Sequence, residues 1–157
     1  MRYVITGANR GIGLELVRQL AARGDEVEAA AREPASAEGL QQIASAASGK
    51  VRVHRCDVAS DASVNALALS IGDVPVDVVI NNAGVMGRML SLEGLDLQDV
   101  TRTFEVNALG TVRVVRAMLP MMMKSRVRRN VHITSGMGSN TDNGGGGADA
   151  YPVSKGP

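Results

Sequence analysis

Short runs rich in valine, isoleucine and alanine alternate along the chain with longer stretches whose apolar residues recur every three to four positions. Residues 3–6, 26–31, 51–55, 76–81 and 130–134 read as strands, with helices between them. In the first helical stretch Ile12, Leu16, Val17 and Leu20 recur at helical spacing, and Gly24 closes the pattern as a C-terminal cap. The fourth strand, Val76-Asp77-Val78-Val79-Ile80, is almost continuous in β-branched residues, as a central parallel strand covered on both faces would be. Between 97 and 123 the spacing predicts one long or kinked helix that offers Val100, Phe104, Leu109, Val112, Val115 and Leu119 for burial. Repeated βα order with right-handed crossovers predicts a doubly wound parallel sheet with helices on both faces, a three-layer α/β/α arrangement.

Composition narrows what such a sheet would serve. At 157 residues and 45% apolar side chains the chain is long enough for one domain and too short for two. Lysine and arginine number 17 against 16 acids, a net charge of +1, so no broad basic surface is expected for nucleic acid or an anionic membrane. A lone cysteine, Cys56, excludes an internal disulfide and a cysteine-based zinc cluster, fits a reducing cytoplasm and reads as a small core residue. The first strand runs straight into a glycine turn, so an export signal is not expected, and the location expected is cytoplasmic. No apolar run approaches the roughly 20 residues that span a bilayer, and 117–123 is interrupted by Pro120.

Several features read as structural. Met121, Met122 and Met123 suit core or interface filling. Lys124-Ser125-Arg126-Val127-Arg128-Arg129 reads as a solvated turn before the last strand rather than a phosphate-binding patch. His54 and His132 lie on strands without a second imidazole at ligand spacing, so no metal is expected. Gly144 to Gly147 read as a flexible loop that supplies no chemistry.

Candidate chemistry starts at Thr6-Gly7-Ala8-Asn9-Arg10-Gly11-Ile12-Gly13, between a strand and a helix. Glycines there let the backbone approach a pyrophosphate, and the helix N-terminus favours negative charge, although such a turn can also serve packing alone. It is followed in order by Asp57-Val58, Asn81-Asn82-Ala83-Gly84, Asn107, Thr134-Ser135 and Tyr151-x-x-x-Lys155. This ordered set, with its G-x-x-x-G-x-G spacing, covers essentially the whole chain and resembles the short-chain dehydrogenase/reductase (SDR) family. Asn107-Ala108-Leu109-Gly110 with Met137-Gly138-Ser139 further resembles the C-factor and sniffer-type carbonyl reductase branch.

The resemblance implies a Rossmann-type NAD(P)-binding domain and hydride transfer between NADP(H) and a carbonyl or alcohol substrate, a small molecule. Tyr151 would be the general acid/base, and Lys155, at i+4 on the same helix face, would stabilise its phenolate and bond the nicotinamide ribose. Taken alone, the two would read as an ordinary surface Tyr–Lys pair, and it is the glycine loop and Asn-Asn-Ala-Gly upstream that favour the catalytic reading. Ser135 would hydrogen-bond the substrate carbonyl, and Asn107 would hold a proton-relay water or satisfy a helix irregularity. Gly7, Asn9, Arg10, Gly11, Ile12 and Gly13 would hold the cofactor with Asp57 at the adenine amino group, Val58 beside the ring, and Asn81, Ala83 and Gly84 along the channel. Ala31-Arg32 stands where an acidic residue would favour the free ribose hydroxyl of NAD, so Arg32, with Arg10, points to NADP.

The chain also departs from the family pattern. Ser135 and Tyr151 are 16 residues apart, slightly long for the family, and only Gly156 and Pro157 follow Lys155, where members continue through a helix and further strands. The domain, 1–157, is therefore expected to be incomplete at its C-terminus and to lack the C-terminal strands. The residues from Tyr151 onward are expected to fray, because nucleating a helix fixes several dihedrals for few hydrogen bonds. Apolar surface on the sheet and on the helix at 109–123 is expected to lie open, which makes that helix a candidate face for homo-oligomers. A catalytically silent nucleotide-binding or signalling protein of the same fold is the alternative.

Overall fold

The computed structural model describes residues 1–88, 94–139 and 150–155. Five parallel strands, β1 (Arg2–Thr6), β2 (Glu26–Ala31), β3 (Val51–Arg55), β4 (Val78–Asn81) and β5 (Arg129–His132), lie in the order β3-β2-β1-β4-β5. Helices α1 (Gly11–Ala22), α2 (Glu38–Ala46), α3 (Asp61–Ile71), α4 (Leu97–Phe104), α5 (Gly110–Met122) and α6 (Ala150–Lys155) accompany them. The expected doubly wound sheet is thus present. Its strands differ from the expected ones at β5, which runs Arg129–His132 rather than 130–134, and at β4, which starts at Val78, because the Val76 N–H bonds Met121 O (3.2 Å) at the end of α5.

Alternate strand positions feed two cores. Ile5, Val27, Ala29 and Ile80 pack with Val17, Leu20 and Leu40 of α1 and α2. Val4, Ala30 and Val79 pack with Val64, Leu67, Val114 and Met118 of α3 and α5 on the opposite face. Gly24, at φ +81°, ends α1: its N–H bonds Ala21 O (2.9 Å) and that of Asp25 bonds Leu20 O (3.1 Å), the paired bonds of a Schellman cap. Ser60 caps α3 by accepting from the Ser63 N–H at 3.2 Å.

One carboxylate interrupts the α3-side core. Glu28 is 1% exposed, and it accepts from Arg52 Nε (2.9 Å) and from His54 Nε2 (2.8 Å), with Arg2 Nε 3.6 Å away. The His54 Nδ1 meets the Ser70 hydroxyl at 2.9 Å, so the ring ties β2 to α3. Burial opposes ionisation of Glu28, yet the hydrogen bonds from His54 and Arg52 and their charges outweigh it and hold the carboxyl below its ordinary value. Cys56 is buried, and that burial, with the charge of Asp57, pushes its thiol up to about 11.

The segment from 97 to 122 is helical throughout but changes pitch, with a π-helical turn, Glu105–Leu109, joining α4 to α5. Its inner face is not the expected one. Thr103, Asn107, Gly110, Val114, Met118 and Met121 are buried, whereas Phe104, Leu109, Val112 and Leu119 are exposed. The helix carries apolar residues on both sides, and close approach decides between them. A Cβ at Gly110 would lie 2.8 Å from Val58 Cγ2, so only this glycine face can press against the loop after β3. Met121 and Met122 belong to the core and Met123 is exposed. Ile12, expected on the buried face of α1, is exposed as well. All four residues of β5 are exposed. Gly144 to Gly147, Gly156 and Pro157 lie outside the described residues. No helix among the described residues is long and apolar enough to cross a membrane.

Candidate functional site

Strand order reverses direction at β1: β2 and β3 lie to one side of it, β4 and β5 to the other. A cleft of about 530 Å³ opens there, at the carboxyl ends of β1 to β4. This is where an open parallel sheet leaves room between loops that diverge to opposite faces.

Its floor is a laced pair of turns. Gly7 has φ +65°, and a Cβ on it would lie 2.8 Å from Ala83 Cα. A Cβ on Gly13 would lie 2.3 Å from Gly7 O and 2.5 Å from Asn82 Nδ2, a space no side chain can enter. Asn82 Nδ2 donates to Thr6 O and Gly7 O, both at 3.0 Å, while Thr6 Oγ1 accepts from the N–H groups of Asn82 (3.2 Å) and Ala83 (3.1 Å). Four hydrogen bonds thereby hold the turn after β1 against the turn after β4. At the start of α1 the N-cap Arg10 makes no side-chain capping bond and the first turn carries no acid, so the first-turn N–H groups have neither a capping side chain nor a carboxylate beside them.

Of the residues expected to hold a cofactor, all but Gly13, Asn81, Tyr151 and Lys155 come together here. Gly7, Asn9, Arg10, Gly11, Ile12, Arg32, Asp57, Val58, Ala83 and Gly84 all line the cleft. Gly13 instead underlies the turn, where it permits the Gly7–Asn82 contact. Asn81, expected along the channel, does not reach it: its Nδ2 donates to Asn130 Oδ1 at 2.8 Å, joining β4 to β5. A strand-end position turns its side chain toward the neighbouring strand, and Asn82 takes its place at the wall. Asn82, Val85 and Val106 line the cleft without having been singled out; Asn82 stood in the Asn-Asn-Ala-Gly motif, but only the fold shows its amide gripping the glycine turn. Arg10 and Arg32 are exposed, and their side chains have no hydrogen-bond or ion-pair partner among the described residues. Asp57 accepts from the Ala59 N–H through Oδ1 (3.0 Å), and Ser60, not Asp57, caps α3.

Gly84 joins this cleft to the residues expected to be catalytic. A Cβ there would lie 3.2 Å from Asn107 Oδ1 and 3.5 Å from Lys155 Nζ. Asn107, 5% exposed in the π-helical turn, accepts from the Val85 N–H (2.8 Å) and donates to Val85 O (2.9 Å) and Ser154 Oγ (2.8 Å). Both its amide hydrogens are used, so a relay water at Asn107 would have to donate to it. Lys155 Nζ donates to Ile133 O (2.8 Å), and burial pushes its ammonium below the ordinary lysine range. Ser135 accepts from the Met137 N–H at 3.3 Å and opens the turn Gly136–Gly138, against which α6 packs. Tyr151 lies on α6, which is helical where fraying was expected; no hydrogen bond joins its side chain to Ser135 or Lys155 among the described residues.

Sheet order, the covering of both faces and the position of the cleft place the chain in the Rossmann-like α/β class. Within that class the chain belongs to the short-chain dehydrogenase family, whose profile matches residues 2–156. Over 92 residues, 59% of this chain and 55% of the relative, it is 49% identical to C-signal from Myxococcus xanthus. Over 139 residues, 86% of this chain and 44% of the relative, it is 42% identical to retinol dehydrogenase 8 from Homo sapiens. A carbonyl reductase from Pseudomonas aeruginosa PAO1 superimposes with a TM-score of 0.89 at 28% identity, over 98% of this chain and 70% of that one. The NADPH-bound carbonyl reductase from chicken fatty liver gives 0.89 at 29%, over 98% and 68%. The chain spans about half the length of these sequence relatives.

Proposed function

We propose that the chain forms the NADP-binding, proton-transferring part of an oxidoreductase that acts on a carbonyl or alcohol, in the cytoplasm. The observation that carries this reading is the meeting, at Gly84, of a glycine-floored cleft bearing two unpaired arginines with a half-buried lysine and a buried asparagine. The residues present fit a dinucleotide: glycines clear the floor, the α1 N-terminus favours a pyrophosphate, and Arg10 and Arg32 suit the additional phosphate of NADP. Bound there, the cofactor would supply the hydride acceptor or donor.

The protein's own part is proton transfer. Tyr151 donates to the carbonyl oxygen during reduction and accepts during oxidation. A free tyrosine has a pKa of about 10, so a nearby positive charge is needed to exchange that proton near neutrality. Lys155, one helical turn away and fixed at Ile133 O, is the group assigned to that task. The Ser135 hydroxyl would polarise the carbonyl, and Asp57 and Val58 would receive the adenine.

The test is NADPH oxidation with phenanthrenequinone and acetophenone as probe carbonyls. Tyr151→Phe is expected to lower turnover at least about 100-fold, the weight of a lost general acid, with NADPH binding retained. Turnover that survives the substitution overturns the assignment.

Similarity to a protein named C-signal favours a second reading, a catalytically silent nucleotide-binding or signalling protein. Stabilisation by NADPH without turnover of any carbonyl would favour it. The outward stripe of the helix at 109–123, Val112 and Leu119 on α5 with Met123 just after it, is the face proposed for contact between copies of the chain, to be read by sedimentation velocity.

A further inference from the structure

A side-chain amide that both donates to and accepts from one backbone residue has a single orientation. Asn107 holds Val85 in this way, through Oδ1 to the N–H (2.8 Å) and Nδ2 to the carbonyl (2.9 Å). Flipping the amide would set acceptor against acceptor and donor against donor. The second Nδ2 hydrogen therefore has one direction, and the group lying there is the Ser154 hydroxyl at 2.8 Å. Ser154 Oγ, itself accepting from Asn107, donates onward to Tyr151 O at 2.8 Å. The chain of bonds runs from the loop after β4, through the π-helical turn, into the backbone of the residue assigned as general acid.

Helix α6 needs such an anchor. Six residues leave room for only a couple of i to i−4 bonds, too few to hold a helix in place by themselves. Its position is set by side chains that grip other elements. Lys155 grips Ile133 O beyond β5, and Ser154 grips Asn107. Adjacent residues project about 100° apart around a helix axis, so the two grips act on different sides and together stop both rolling and sliding. Tyr151 is three residues before one grip and four before the other, so its ring direction depends on both.

We propose that Ser154 is a positioning residue, which holds the Tyr151–Lys155 turn in register with Asn107 and the cleft wall at Gly84. It rests on the oxidoreductase reading for its consequence, turnover, and on the hydrogen bonds alone for its geometry.

The experiment compares the protein with Ser154→Ala and with Ser154→Thr, which keeps a hydroxyl. With phenanthrenequinone and NADPH, Ser154→Ala is expected to lower kcat about tenfold or more, with the KM for NADPH within about twofold, since misplacing a catalytic group acts on the reacting geometry. Its pH–rate profile is expected to move relative to the parent protein, and Ser154→Thr to recover most of the rate. A parallel measurement needs no turnover: exchange of the Asn107 side-chain amide protons, followed by NMR, should quicken about tenfold in Ser154→Ala while the backbone amides of β4 keep their protection.

Unchanged kcat and pH profile in Ser154→Ala, or unchanged exchange at Asn107, overturns the proposal. Loss of the cooperative melt in Ser154→Ala does so too, because it assigns the hydroxyl to fold stability. If the parent protein turns over no carbonyl, the oxidoreductase reading fails by itself. The exchange comparison then still decides whether Ser154 holds Asn107 in place.

Discussion

At the scale of single residues, the buried Glu28 shows how a charge survives inside a core. Desolvation disfavours its ionised form, and hydrogen bonds from His54 and Arg52 restore it. Its folded pKa lies below that of an ordinary glutamate, so between those two values the unfolded chain binds more protons than the folded one. The stability it contributes is full above about pH 4.5 and is lost as the pH falls through the folded value. Glu28→Gln is expected to cost about 2 kcal/mol near neutrality, because one carboxylate acceptor is replaced by an amide that turns a donor toward a cation. The variant should also show a flatter loss of stability below pH 4.5, as measured by urea unfolding across that range. A loss as steep as the parent's would place the acid sensitivity elsewhere, for example at Asp25 or Asp77, whose carboxyls are also held low.

At the scale of elements, α5 is the instructive case because either of its faces could have been buried. Val112 and Leu119 continue the apolar spacing of Phe104, while Val114, Met118 and Met121 form a second stripe. Periodicity identifies an amphipathic helix by contrast between faces, and here apolar residues stand on the outer face as well as the inner one. What selects the inner face is Gly110, the position at which α5 meets Val58 too closely for any Cβ. Val114→Ala is accordingly expected to cost about 2 kcal/mol through lost burial and the space left behind, and Val112→Ala less than about 0.5 kcal/mol. Thermal or urea unfolding of the two variants gives the ranking, and equal losses would contradict the face assignment. Helix α6 makes the same point at the other extreme. Its six residues, read locally, are too few to persist, and the structure supplies the missing support through Asn107 and Ile133 O.

At the scale of the whole molecule, the switch in strand order gathers residues from four loops into one cleft, and nucleotide preference becomes a property of that assembly. Arg10 comes from the loop after β1 and Arg32 from the end of β2, yet both face the same space. A ligand at about 100 times its Kd stabilises a protein by roughly 2.7 kcal/mol, so preference can be read from melting alone. NADPH is expected to raise the transition more than NADH at equal concentration, and Arg32→Ala to bring the NADPH shift down toward that of NADH. Equal shifts in the parent protein would remove the case for NADP. The open β5 and the outward stripe of α5 are properties of the same scale, since each strand or helix is unremarkable alone and its exposure follows from what stands beside it.

The residue pattern by itself determined the parallel α/β class and the strand positions to within two residues at each end. These follow from local rules: β-branched runs bounded by polar turns, helical spacing, and glycines where backbone must pass close to backbone. The family resemblance rested on the same short motifs, which remain readable because their order along the chain is kept. Only the tertiary structure decided which face of α5 is buried, that Asn81 turns to β5 while Asn82 clamps the glycine turn, and that Ser154 completes the bonding of Asn107. Each of these depends on distance between residues far apart in sequence, 22 positions for Asn107 and Val85 and 47 for Asn107 and Ser154. Local preference carries no information about such meetings. Close packing creates them, by excluding arrangements in which a Cβ would be left without room.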